Sequence, residues 1–240
     1  MSHGEASEPV SCVVPAYNEE KHIGGVLDAL CSIPDLIKIV VVDDSSTDHT
    51  PEVVQSFCAR DSRVQLLQLP VNRGKGGAMV EGAGCAGTDL IVFLDADLVG
   101  LSSRHVAALV EPVLKNECNM TLGIFTHGRT RTDWSHRITP FLSGQRCVRW
   151  SDYRNAPELN RARYGVEVAL NLHAWHRKYR IKSIEWPGAT HVMKPEKVGR
   201  FQGAQSYFRM YREIVIYVLR HILKDKSLGD AAALMQNGKE

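Results

Sequence analysis

The sequence predicts an α/β protein built on a mostly parallel sheet with helices on its faces. Three observations predict it. Short apolar runs rich in Val and Ile alternate with helix-length amphipathic stretches through the first half of the chain. Four polar clusters follow the strand candidates: Tyr17-Asn18, Asp43-Asp44, Arg73 to Gly77, and Asp95 with Asp97. The run Leu90-Ile91-Val92-Phe93-Leu94 passes straight into Asp95-Ala96-Asp97. An unbroken run of this kind reads as a strand buried on both faces. Open α/β sheets bind ligands beyond the carboxyl ends of such strands, so the four clusters are expected on one rim.

Each element has a local reason. Val10 to Val14 is a strand ended by Pro15-Ala16-Tyr17-Asn18. Asn18 is expected to cap a helix with Glu19 and Glu20 in its first turn, running to about Leu30. Ile23, Val26, Leu27 and Leu30 mark its buried face. Ile37 to Val42 is a β-branched strand, and Ser45 to Asp48 then lead into a helix reaching about Arg60. Val64 to Leu69 is a third strand, and Asn72 to Gly77 is a glycine-rich turn opening a helix to about Gly84. Beyond Asp97 the pattern gives a helix over Ser103 to Leu114 and a strand over Asn119 to Ile124.

Phe125 to Pro140 lacks periodicity, and loops of that length are commonly functional. Phe141 to Asp152 is mixed in character. A helix follows over Tyr164 to Arg177, then strands over Arg180 to Trp186 and Ala189 to Met193. Gln205 to Lys224 is the most regular helix in the chain. These elements define a domain over residues 9–200, in two halves (9–100 and 101–200). An amphipathic helix (203–225) and a polar tail (226–240) follow.

Composition limits the function classes. The 240 residues are 44% hydrophobic, enough for a core, and carry a formal net charge of only +2, too little for nucleic-acid binding. Six scattered cysteines without a CxxC pair read as buried thiols in a reducing compartment. No apolar stretch approaches the roughly 20 residues of a membrane span. The expectation is a cytoplasmic protein, with any membrane contact peripheral at the inner face. The last helix supplies either that contact or a packing or homodimer surface, because its apolar arc is wide and its other side is basic.

The rim residues suggest chemistry. Asp95 and Asp97 repel each other unless a positive charge lies nearby, and a hard divalent cation is the simplest candidate. Turn formation and helix capping are the bland alternative. Asp43-Asp44 suits either a ribose or base contact or a cap. Gly74-Lys75-Gly76-Gly77 matches neither the Walker pattern nor G-x-G-x-x-G, yet helix amides beside a lysine suit a phosphate or a base edge. Glu167, opening a helix beside apolar residues, is a candidate general base or a favourable N-terminal charge, with Asp152 a weaker rival. Arg129, Arg131, Arg137 and Arg146 could hold an anion or simply be solvated.

Four segments together carry a resemblance. Val13 to Glu20, Val41 to Asp48, Asn72 to Ala78 and Phe93 to Asp97 resemble, in order and spacing, the GT-A-fold family 2 glycosyltransferases. Within them the Gly-Lys-Gly-Gly turn and short length are most similar to polyprenyl- or dolichyl-phosphate sugar transferases and glucosyl-3-phosphoglycerate synthases. The resemblance implies a nucleotide-sugar donor, a UDP-sugar such as UDP-glucose, and a phosphorylated or lipid-linked acceptor. A small soluble acceptor of the phosphoglycerate type, or a binding module without turnover, is the alternative. Pro15, Ala16, Tyr17 and Glu19 are implied in the nucleotide pocket, Asp44 at the base or ribose, and Lys75 at the base or nearby loop. Asp95 and Asp97 are the implied DxD motif for Mg2+ or Mn2+, with Asp97 the direct ligand and His191 completing the site. Glu167 is implied as base, or as orienting group where the acceptor is already a phosphate.

Overall fold

A computed structural model describes residues 8–125, 143–156, 159 and 166–191. All of these belong to one compact unit, Met1–Met193. The expected amphipathic helix, the polar tail, Arg129, Arg131 and Arg137 lie outside the described residues.

The strands are β1 (Val10–Ala16), β2 (Leu36–Asp43), β3 (Val64–Gln68), β4 (Leu90–Phe93), β5 (Leu98–Val99), β6 (Met120–Phe125), β7 (Arg146–Arg149), β8 (Ile181–Trp186) and β9 (Thr190–His191). The helices are α1 (Ile23–Cys31), α2 (Thr50–Cys58), α3 (Gly74–Ala86), α4 (Ser103–Leu114), a single turn α5 (Trp150–Tyr153), and α6 (Val166–His176). Seven strands form one sheet in the order β3-β2-β1-β4-β7-β6-β8, and β5 pairs with β9 in a separate ribbon. Pairing is parallel throughout the large sheet except at β7, which runs antiparallel to both β4 and β6.

The central strands are apolar because helices cover both faces. Ile39 to Val42 of β2 and all four residues of β4 are buried, so the hydrophobic effect favours an unbroken apolar run over an alternating one. Helix α3 approaches the sheet closely at Gly82. A Cβ there would lie 2.5 Å from Val13 Cγ1 and 2.7 Å from Val42 Cγ2, so glycine is what permits the contact. At the opposite end from the rim, Arg63 donates to the carbonyls of Ile33 (2.6 Å), Leu36 (3.1 Å) and Cys31 (2.6 Å) while its guanidinium pairs with Asp61 at 2.7 Å. That one side chain closes the end of α1, the start of β2 and the approach to β3.

Strand β1 has β2 and β3 on one side and β4 on the other. This is the topological switch point at which open sheets form a crevice. The ladder extends past the strand ends: Asp44 N donates to Ala16 O (2.8 Å) and Leu94 N to Val13 O (3.1 Å). The segments after β1, β2 and β4 therefore leave the sheet side by side.

Two sequence expectations need correction. Asn18 does not cap α1, which starts at Ile23 after His22 without a side-chain cap. Asn18 instead has φ 57°, a left-handed backbone that Asn tolerates. Its Oδ1 accepts from Thr47 N (2.8 Å) and its own N–H donates to Ser46 Oγ (2.9 Å). The β2–α2 loop thus takes the side chain that the helix was expected to use. Second, the mixed stretch Phe141 to Asp152 contains strand β7, inserted between β4 and β6. Arg146, expected on an anion-binding loop, is the first residue of that strand and is fully buried.

Candidate active site

Pro15 and Ala16 end β1, the loop after it carries Tyr17 to Glu19, and Tyr17 is 48% exposed. Hydrogen bonds fix this loop to its neighbour. Glu19 N donates to Thr50 Oγ1 (2.8 Å) and Glu20 N to Asp48 Oδ2 (3.2 Å). Asp48 also accepts from Thr50 N at 3.0 Å. Its carboxyl is held below the usual range: burial works against this, and the Thr50 and Glu20 donors outweigh it.

Asp44, buried at the end of β2, reaches over to the glycine-rich turn. Its Oδ1 accepts from Arg73 N (2.7 Å) and its Oδ2 from Gly74 N (2.8 Å). Asn72 Nδ2 donates back to Asp44 O at 3.0 Å. These two orphan amides at the start of α3 are thereby satisfied, and the turn is locked against the rim. Gly74 has φ 77°, which a side chain would strain.

Lys75, the next residue, turns inward. Its Nζ lies 2.6 Å from Asp95 Oδ1 and 2.6 Å from Glu167 Oε1. Burial alone would lower the Lys75 pKa, but the two carboxylates more than reverse it and it is raised. Burial would likewise raise that of Asp95, and the Lys75 charge overrides it so that Asp95 stays ionised. Gln145 Nε2 donates to Asp95 Oδ2 at 2.7 Å. Gln145 in turn is held by Ser143, whose hydroxyl donates to Gly123 O (2.6 Å) and accepts from Gln145 N (3.3 Å). Between them lies Gly144, where a Cβ would lie 2.5 Å from Asp95 Oδ2 and would collide with Lys75 Nζ. Glycine alone lets this backbone approach the acidic end of β4.

Arg146 lies behind this group. Its guanidinium donates to Ser143 O and to Asn171 Oδ1 (3.4 Å), and its Nε has no hydrogen-bond partner among the described residues. Burial lowers its pKa, and the charges of Glu167 and Asp95 oppose that shift. Two cations and two carboxylates therefore share one region in balance. Asp152, the rival to Glu167, sits elsewhere as a latch, accepting from Asn119 Nδ2 and Tyr179 OH at 3.4 Å each.

Asp97 is half-buried just before β5. In the ribbon Leu98 pairs with His191 and Val99 with Thr190. His191 is thus one register position from Asp97, although 94 residues separate them (191 − 97). It is also near enough to favour the ionised form of Asp95. Carboxylate and imidazole donors suit Mn2+, and Asp95 already holds a cation, the Lys75 ammonium. Among the described residues no three His, Cys, Asp or Glu side chains form a complete metal cage. By donor chemistry the Asp95 and Asp97 carboxylates and the His191 imidazole are ligand types that Mg2+ or Mn2+ takes, with substrate phosphates supplying the remaining ligands.

The structure therefore brings Lys75, Asp95, Glu167, Asp97 and His191 to one rim beside the β1 and β2 loops. Sequence reasoning missed Gln145 and placed Arg146 in a loop. The only sequence signal for Gln145 was its neighbour Gly144 in a segment otherwise without pattern.

Comparison with known proteins gives the chain a setting. The family model described as glycosyl transferase family 2 matches residues 11–208. Glucosyl-3-phosphoglycerate synthase of Mycobacterium tuberculosis is 35% identical over 121 residues, 49% of this chain and 37% of that protein. Dolichyl-phosphate beta-glucosyltransferase ALG5A of Trichomonas vaginalis is 42% identical over 101 residues, 38% of this chain and 31% of that protein. Each match spans well under half of the curated relative. A crystal structure of the mycobacterial synthase with phosphoglyceric acid superposes with a TM-score of 0.73 at 23% identity, covering 90% of this chain and 80% of that one. Another, with Mn2+, UDP-glucose and phosphoglyceric acid, gives 0.70 at 22% identity with the same coverage. At such identities the likeness is one of fold.

Proposed function

Because the chain belongs to glycosyl transferase family 2, we propose that it is a metal-dependent glycosyltransferase moving a hexose from a UDP-sugar to a phosphate-bearing acceptor. One observation carries the proposal: Asp95, Asp97, Lys75, Glu167 and His191 meet at the switch-point rim of a family 2 fold. The names of the relatives on both sides contain a phosphorylated acceptor, phosphoglycerate or dolichyl phosphate.

In this reading Pro15, Ala16, Tyr17 and Glu19 line the nucleotide pocket, and Asp44 shapes its floor by holding the Arg73-Gly74 turn. Asp97 and His191, with Asp95 behind them, would hold Mg2+ or Mn2+. An ion held there would supply positive charge to stabilise the nucleoside diphosphate leaving group. Lys75, Asp95, Gln145 and Glu167 form a preorganised polar patch beside that point. Their geometry suits fixing hydroxyls of the transferring sugar. Glu167 already accepts from Lys75, which favours an orienting role over that of a free general base. An acceptor phosphate oxygen is itself nucleophilic and would require no base.

The test is turnover of UDP-glucose with Mn2+ and either 3-phosphoglycerate or a short-chain dolichyl phosphate, products identified by mass spectrometry. Glucosyl transfer to one of them is expected, and the one used assigns the acceptor. Absence of transfer to either, with UDP-glucose demonstrably bound, would leave a binding module instead.

A further inference from the structure

His191 is supported by a device that the reaction itself does not explain. Ribbon β5–β9 contains only two residue pairs, too few to hold a register alone. One end of the ribbon is closed by Gly100 against Gly188. Both have left-handed backbones, at φ 75° and 80°. A Cβ on Gly100 would collide with Gly188 O and lie 3.6 Å from Ala189 Cα. On its other side the ribbon rests on a file of rings. The His191 ring packs on Phe125 with centroids 5.5 Å apart, and Phe125 meets Trp186 edge-on at 6.3 Å. Trp186 stacks on His105 at 5.0 Å. The His105 ring is held in turn by the Ser102 end of α4 and, through Nε2, by Pro187 O at 3.2 Å.

We propose that Phe125 is a positioning residue for His191, and that the Gly100–Gly188 contact sets the distance of β9 from Asp97. The inference rests on the metal-site reading above. An imidazole on a two-residue exposed strand has two free χ angles, and an aromatic wall on one side removes most of that freedom before a ligand arrives. The ring contacts of Phe125 are with His191 and Trp186. Phe125 acts by limiting where the His191 ring can point.

The test is Mn2+ affinity of the full chain, read by electron paramagnetic resonance in the presence of UDP, with thermal melting alongside. His191→Ala is expected to weaken Mn2+ binding at least tenfold. Phe125→Leu, which keeps an apolar side chain, is expected to weaken it about three- to tenfold with UDP affinity in EDTA unchanged. In the His191→Ala background Phe125→Leu should add nothing, since the two act as one unit. Gly100→Ala provides a second variant, acting from the other side of the ribbon with the same signature. Unaltered Mn2+ affinity in folded Phe125→Leu and Gly100→Ala, where His191→Ala is impaired, would overturn the positioning role alone. Wild-type protein that binds no Mn2+, or indifference to His191→Ala, would overturn the metal-site reading and this inference with it.

Discussion

Lys75 bridges two carboxylates, Asp95 and Glu167, from separate parts of the chain. Its ammonium lies 2.6 Å from each of Asp95 and Glu167. Its side chain keeps about a quarter of its exposure, 26%, so the pairs are neither a solvated surface contact nor a dry core one. Lys75→Met removes the cation and leaves both anions. The expected cost is about 2 kcal/mol, between the small value of exposed pairs and the larger cost of stranding a buried charge. Urea unfolding at pH 7 measures it, and a second Glu167→Gln substitution should recover part of the loss. Sequence alone nominated Lys75, Asp95 and Glu167 separately. It did not join them, because Lys75 and Glu167 are 92 residues apart and no local pattern encodes such a pair.

Elements that pack by an unbroken apolar run or a helical stripe could be read from the sequence, and their observed ends lie within a few residues of expectation. Helix α4 over Ser103–Leu114 is one case and strand β4 over Leu90–Phe93 another. Strand β7 was hidden because Arg-Cys-Val-Arg has charge at both ends, and only pairing with β4 and β6 makes it a strand. Close packing at Gly82 was equally silent. Gly82→Ala should destabilise by about 1–3 kcal/mol through overpacking against Val13 and Val42, measured as a lowered urea midpoint. The Asp61–Arg63 clamp offers a pH test at the far end of the sheet. Hydrogen bonds from Arg63 hold the Asp61 carboxyl down to about 2. A depressed folded pKa stabilises fully above the unfolded value near 3.9 and fades as pH falls toward the folded one. Asp61→Asn should therefore cost about 1 kcal/mol at pH 7. The difference from wild type should shrink between about pH 4 and pH 2, as followed by thermal melting across that range.

At the scale of the molecule, the sheet order makes the site. Placing β1 between β2 and β4 aligns the Tyr17, Asp44 and Asp95 segments, and the β5–β9 ribbon returns His191 to the same rim. The first-half motifs were legible because each strand is followed directly by its polar cluster. The second half contributes Gln145, Glu167 and His191 from three separate elements, and only the fold brings them together. On the proposed reading this rim is one metal-dependent nucleotide-sugar site. Calorimetric titration of UDP-glucose tests it most directly, with Mn2+ and with EDTA, for wild type and for Asp97→Ala. Binding in Mn2+ that weakens at least tenfold in EDTA, and equally in Asp97→Ala, is the predicted result; the same affinity under all of these conditions would contradict the claim.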